Sequence, residues 1–152
     1  MILDSSAIVA ILLDEPERTH LLDKIDAADV VGVGAPTLVE AGVVLSARLG
    51  RDASEIIDRL VATISAEIVP FSGAHWREAL AAWSRYGRAR HPAALNFGDC
   101  LAYAVARVAQ RPLLAKGHDF PQTDLELACP RWRRAVLDHS RPHAGDGRAF
   151  QR

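Results

Sequence analysis

The sequence predicts an α/β fold, a three-layer α/β/α sandwich around a central, mostly parallel sheet. Three observations predict it. Short strand-like runs recur at residues 1–4, 30–35, 67–71 and 112–115. The stretches between them read as helices, and strands separated by helices pair in parallel. The 152 residues, 49% hydrophobic and 24% charged, suffice for one compact domain with a core that needs no disulfide or structural metal.

Each element has a local reason. MIL begins a buried strand that ends at Asp4, and apolar, helix-compatible residues follow through Leu13. Asp14, Glu15 and Pro16 break that helix and start another, to about Ala27. Residues 30–35 are short and β-rich. Pro36 suits the first turn of a helix that runs to Leu49 and stops at Gly50. Asp52 or Ser54 opens the next helix, with Ile56, Ile57, Leu60, Val61 and Ile64 as its apolar stripe. EIVPF at 67–71 is a strand, and Ser72 caps a helix to about Tyr86. GRARHP at 87–92 is a basic loop. Asn96 suits the N-cap of a helix over 97–110, with Leu101, Val105 and Val108 on one face. Residues 112–115 form the last strand, and 119–124 a loop with two acids. The domain spans 1–130. A basic extension follows at 131–152, and its polar, glycine-rich, aperiodic end at 140–152 is expected to be disordered.

Composition narrows the function classes. The net charge of -1 conceals an acidic body, because residues 131–152 alone carry six arginines against Asp138 and Asp146. Such a body does not resemble a duplex-DNA binder, so nucleic-acid contacts must come from local patches. Arg85, Tyr86, Arg88, Arg90 and His91 form one such patch, and Lys116 is a further phosphate candidate. Cys100 and Cys129 lack zinc-ligand or CxxC spacing, and Cys100 reads as a small buried hydrophobe. The N-terminus lacks a basic n-region, Asp4 interrupts its apolar run, and no uninterrupted apolar stretch is long enough to span a bilayer. A cytoplasmic protein without membrane attachment is expected.

Three acids stand apart from other charges. Asp4 is the only charged residue in 1–13, Glu40 the only one in 30–47, and Asp99 the only one in 92–106. Carboxylates are rarely buried without a partner. In open α/β sheets, ligands bind at the carboxyl ends of strands. Asp4 and Asp119 follow strands there, and Glu40 and Asp99 lie on helices leaving that edge. Four converging acids repel one another without a cation, and an all-oxygen donor set suits Mg²⁺ or Mn²⁺. Each acid also has a plainer reading: Asp4 as an N-cap, Asp99 as a helix N-terminal acid, Glu40 as the partner of a core arginine, Asp119 as a loop acid.

The stretches MILDSSAIVAILLDEPE, PTLVEAGVVLSARLG, LNFGDCLAYAVA and LLAKGHDF resemble the four motifs of VapC-type toxins of the PIN-domain superfamily, in order and spacing, over residues 1 to about 125. The resemblance implies a parallel sheet flanked by helices. It implies a Mg²⁺- or Mn²⁺-dependent endoribonuclease, a VapB-type antitoxin partner, an RNA substrate and a homodimer. It places Asp4, Glu40, Asp99 and Asp119 in the acidic cluster, with Asp4 and Asp99 as direct metal ligands and Glu40 acting through water. Ser6 matches the small hydroxyl residue near the first aspartate, and Asn96 the polar residue before the third acid. Many relatives carry another acid two residues before the position of Asp119, where this chain has Gly117. An aspartyl-phosphate phosphatase would want an acid at Ser6, and Walker and GxGxxG loops are absent. The alternative is a non-catalytic RNA- or protein-binding module with a degenerate site.

Overall fold

The computed structural model describes residues 1–129. The extension expected at 131–152, with its disordered end, lies outside them. The described residues form a four-stranded, all-parallel sheet with helices on both faces, the architecture the sequence predicts.

In chain order the elements are β1 (Ile2–Leu3), α1 (Ser5–Leu12), α2 (Arg18–Asp26), β2 (Gly32–Gly34), α3 (Ala35–Leu49), α4 (Ser54–Thr63), β3 (Glu67–Val69), α5 (Gly73–Tyr86), α6 (Phe97–Ala109) and β4 (Leu113–Leu114). A short 3₁₀ turn, Phe120–Gln122, interrupts the loop expected after β4. The strand order is β3-β2-β1-β4. Ile2 pairs with both Gly32 and Leu113, and Leu3 with Val33 and Leu114. The chain thus builds outward from β1 through β2 to β3, then returns to the other side of β1 for β4. That reversal opens a crevice at the carboxyl ends of β1 and β4, where open α/β sheets bind ligands.

Alternation along the strands makes the layers. Leu3, Val33 and Leu114 point to the face covered by α1–α4, where Ile8, Leu21, Leu45 and Ile57 are buried. Ile2, Leu113 and Ala115 point to the other face, against α5 and α6. The second face is close-fitting. A Cβ at Gly34 would lie 2.9 Å from Val105 Cγ2, so β2 needs glycine there for α6 to approach. The helix opposite is built for the same purpose, with Ala102, Ala104 and Ala106 almost fully buried.

Several boundaries differ from the sequence expectation, each for a local reason. Strand β3 stops at Val69 because Pro70 has no N–H to give the ladder. Strand β1 stops at Leu3 because Asp4 already caps α1. Gly50 ends α3 in the left-handed conformation, φ 65°, as expected of a C-cap glycine. The sequence predicts no element beyond Asp124, yet Leu127 bridges Leu113 in parallel, and Leu125 and Cys129 are buried. Cys100 and Cys129 are both free and buried. Burial pushes the Cys100 thiol up to about 11, as suits a small core hydrophobe. Among the described residues no helix is long and apolar enough to cross a membrane.

Candidate active site

The four acids meet at the carboxyl edge of the sheet. Asp4 follows β1 directly, and its N–H donates to the Leu114 carbonyl at 2.9 Å, fixing it between β1 and β4. Its side chain is 2% exposed and its two oxygens have different duties. Oδ2 caps α1, accepting from the Ser6 N–H at 2.9 Å and from Ser6 Oγ at 2.5 Å. Oδ1 is buried and has no hydrogen-bond partner.

Asp99 is built similarly. It is the third residue of α6 and forms a capping box with Asn96. The Asn96 N–H donates to Asp99 Oδ2 at 2.7 Å, and the Asp99 N–H donates to Asn96 Oδ1 at 2.9 Å. Glu40 projects from α3, half-buried, with its carboxyl lying against Gly98 of α6. Asp119 stands at the exposed rim after β4.

Their charges interact. Burial is the main cause that raises Asp99 to about 7; the Asn96 N–H opposes this, and the charges of Asp4, Asp119 and Glu40 add to it. Burial raises Asp4 too, against the Ser6 hydrogen bonds and with a further push from Asp119. Glu40 is raised by burial and by Asp4, while a hydrogen bond from Ser5 opposes. Asp119 is raised by partial desolvation, with His118 and Arg88 opposing. Four carboxyls whose ionisation is disfavoured at one edge are an arrangement that a nearby cation would stabilise.

The donor set fits a hard divalent ion. All candidate ligands are carboxylate oxygens, and Asp4 Oδ1 is buried with a lone pair to give. Among the described residues no three His, Cys, Asp or Glu side chains close into a ready-made metal cage. Mg²⁺ does not require one, since it keeps several waters and takes one or two carboxylates. Asp4 and Asp99 are the residues that would hold it.

The remaining sequence candidates divide. Ser6 and Asn96 are in place but act on the acids, since Ser6 Oγ bridges Asp4 and the Lys116 N–H, the latter at 2.9 Å. Arg88 faces Asp119. Arg85 turns away to Asp124, at 3.6 Å, and Arg90 lies over the Trp83 ring at 5.7 Å. Lys116, expected as a phosphate contact, gives its ammonium to Glu15 at 2.5 Å and Glu17 at 2.9 Å. Gly117 has φ 107°, a conformation that side chains rarely adopt, so the acid many relatives carry there would be strained here. Sequence reasoning overlooked Ser5 and Gly98, which both border the Glu40 carboxyl and adjoin Asp4 and Asp99 in the chain.

Ser6 offers a direct test of this framework. Ser6→Ala leaves the part-buried Lys116 N–H without its acceptor and takes one donor from Asp4. Unfolding in urea should show a loss of about 1–3 kcal/mol with an unchanged slope. A midpoint equal to the parent's would mean the bridge does not form.

The PIN domain family model matches residues 1–126. Ribonuclease VapC36 of Mycobacterium tuberculosis is 45% identical over 128 residues, covering 84% of this chain and 92% of the relative. Ribonuclease VapC28 of the same species is 40% identical over 132 residues, covering 86% and 99%. The fold matches the crystal structure of Mycobacterium tuberculosis VapC20, described as a sarcin-ricin loop cleaving toxin, with TM-score 0.67 at 16% identity, covering 82% of this chain and 95% of that one. A toxin-antitoxin complex from Klebsiella pneumoniae matches with TM-score 0.58 at 16% identity, covering 78% and 88%.

Proposed function

The chain belongs to the PIN domain family, in the company of the VapC ribonucleases, and from that premise we propose that it is a metal-dependent endoribonuclease, the toxin of a toxin-antitoxin pair. The observation that carries the chemistry is the buried, unpartnered Oδ1 of Asp4 among four acids of raised pKa.

Mg²⁺ or Mn²⁺, when bound, supplies positive charge that acidifies water and neutralises the scissile phosphate. The protein's own part is to place the groups around it. Asp4 and Asp99 offer oxygens from two backbone-anchored caps, so neither carboxyl must reorganise as charge develops. Glu40, half-buried and raised in pKa, is poised to orient a water and accept its proton as the water attacks phosphorus. Asp119 stands at the mouth beside Arg88, whose guanidinium meets the incoming phosphate backbone. The ribose oxygen leaves with a proton from solvent. Neither a histidine nor a cysteine nucleophile is needed.

An acidic site bordered by apolar surface suits a protein inhibitor that brings a basic side chain, the role of a VapB-type antitoxin. Val39, Val43 and Phe97, flanking Glu40 and Asp99, are 67%, 66% and 76% exposed, which supports protein partners and a homodimer. Cellular RNA as the substrate supports the cytoplasm as the site of action.

The test is cleavage of RNA by the purified chain with Mg²⁺ or Mn²⁺, with EDTA as control. Expression alone should arrest growth, and co-expression of a VapB-type antitoxin encoded beside this chain should restore it. Cleavage that persists in EDTA would remove the metal from the mechanism. No cleavage with either metal would leave the chain a binding module.

A further inference from the structure

We propose that Gly98 is a positioning residue for the proposed ribonuclease reaction: its bare Cα is the seat on which the Glu40 carboxyl rests. Gly98 lies in the first turn of α6, immediately before Asp99. Nothing in its backbone asks for glycine. Gly50 and Gly117 are the described glycines with positive φ, and Gly98 is not among them. Within a helix, alanine is the favoured choice over glycine. Something other than conformation therefore keeps a side chain out.

The reason is steric and singular. The three nearest heavy atoms to a Cβ built on Gly98 are Oε1, Cδ and Oε2 of Glu40, all far inside van der Waals contact. The space that glycine leaves open is filled by one carboxyl group. The same group accepts a hydrogen bond from the Ser5 side chain, at the start of α1. Glu40 is thus held between a hydroxyl on α1 and a bare backbone on α6. Both neighbours adjoin an acid of the site, Ser5 following Asp4 and Gly98 preceding Asp99. Any side chain at 98 moves the Glu40 head off this seat while leaving every charge of the site intact.

This inference rests on the ribonuclease reading, and its test separates the two. Gly98→Ala, Glu40→Asp and the double variant are compared with the parent by RNA cleavage, by Mn²⁺ binding in electron paramagnetic resonance and by melting in EDTA. Gly98→Ala should melt no lower than the parent, because alanine favours the helix. Its kcat/KM should fall roughly 10- to 100-fold, with weaker Mn²⁺ binding, the scale of losing an outer-shell partner. Glu40→Asp alone should also lose activity, being too short to reach the seat. In the G98A background the seat is already lost and the shorter acid does not meet the added methyl, so Glu40→Asp should cost little further activity. Parent-like cleavage and Mn²⁺ binding by Gly98→Ala would overturn the proposal. So would losses that simply multiply, or unfolding by Gly98→Ala that Glu40→Asp does not rescue. If the parent itself does not cleave RNA, the ribonuclease reading fails, and the coupled Mn²⁺ affinities still decide the role of Gly98.

Discussion

Asp99→Asn should abolish RNA cleavage, by roughly 10²- to 10⁴-fold, while leaving the metal-free protein at least as stable as the parent. The two effects separate because the cap and the charge are different properties of one side chain. Oδ2 accepts from the Asn96 N–H at 2.7 Å, and an asparagine carbonyl can accept the same bond. The cap survives, so α6 keeps its start. What disappears is a charge that the fold resists. Burial and three neighbouring acids hold Asp99 at about 7, against an ordinary 3.8. At pH 8 the parent must ionise it, at a cost on the order of 4 kcal/mol relative to a neutral group. The asparagine variant escapes that cost and gains an amide N–H to face the remaining carboxylates. In EDTA at pH 8 it should therefore melt at or above the parent, as expected where function opposes stability. Added Mn²⁺ should raise its melting temperature less than it raises the parent's. A variant that unfolds early in EDTA, beside a parent with no metal response, would make Asp99 a structural cap alone.

The same division of labour explains how much of the site was legible in the sequence. The isolation of Asp4, Glu40 and Asp99 from other charges announced that they were unusual, and the strand-helix alternation put them on one edge. The plainer readings of Asp4 and Asp99 as helix caps are also true. Each spends Oδ2 on its cap, which fixes the carboxyl, and at Asp4 the other oxygen, Oδ1, is left without a partner. A cap and a ligand compete only if one oxygen must do both. The plainer reading of Glu40 is different: its carboxyl meets Ser5 and Gly98, neither of them an arginine.

What was illegible depended on contacts between distant segments. The basic loop reads as one patch, but Asp124, arriving from beyond β4, draws Arg85 and Arg107 together, while Arg88 acts on Asp119. Lys116 sits beside the site in sequence and reads as a phosphate hook. The α1–α2 corner brings Glu15 and Glu17 to it instead, and its pKa rises accordingly. Gly98 has no periodic or charge signal at all; its meaning lies in a glutamate 58 positions away that the fold lays across it. The parallel bridge from Leu127 to Leu113 is equally silent, since one bridging residue carries no alternation.

The stability of the metal-free protein should fall as pH rises from 5 to 8, and metal should cancel that fall. Asp4, Glu40, Asp99 and Asp119 are all raised above their ordinary values. A raised acid binds protons more tightly in the folded state than in the unfolded chain. Its contribution is fully present below the unfolded value, near 4, and is lost as pH climbs through the folded value, about 7 for Asp99. Glu15 and Asp124 run the other way: held below the ordinary range, by Lys116 for the first and by Tyr103 and Arg107 for the second, they lose their contribution only in acid. Asp99 therefore titrates inside the window between pH 5 and 8, and the other three site acids act in the same direction, against the opposite pull of the lowered Met1 ammonium. In EDTA, melting should be highest near pH 5 and several degrees lower at pH 8. Mg²⁺ or Mn²⁺ binds the ionised form, so its stabilising effect should be small at pH 5 and grow toward pH 8. Asp99→Asn should flatten both curves. The measurement is a grid of melts over pH with EDTA or excess metal. An EDTA series that rises from pH 5 to 8, or a metal effect equal at both ends, would mean that ionisation of the four acids is not disfavoured in the folded chain.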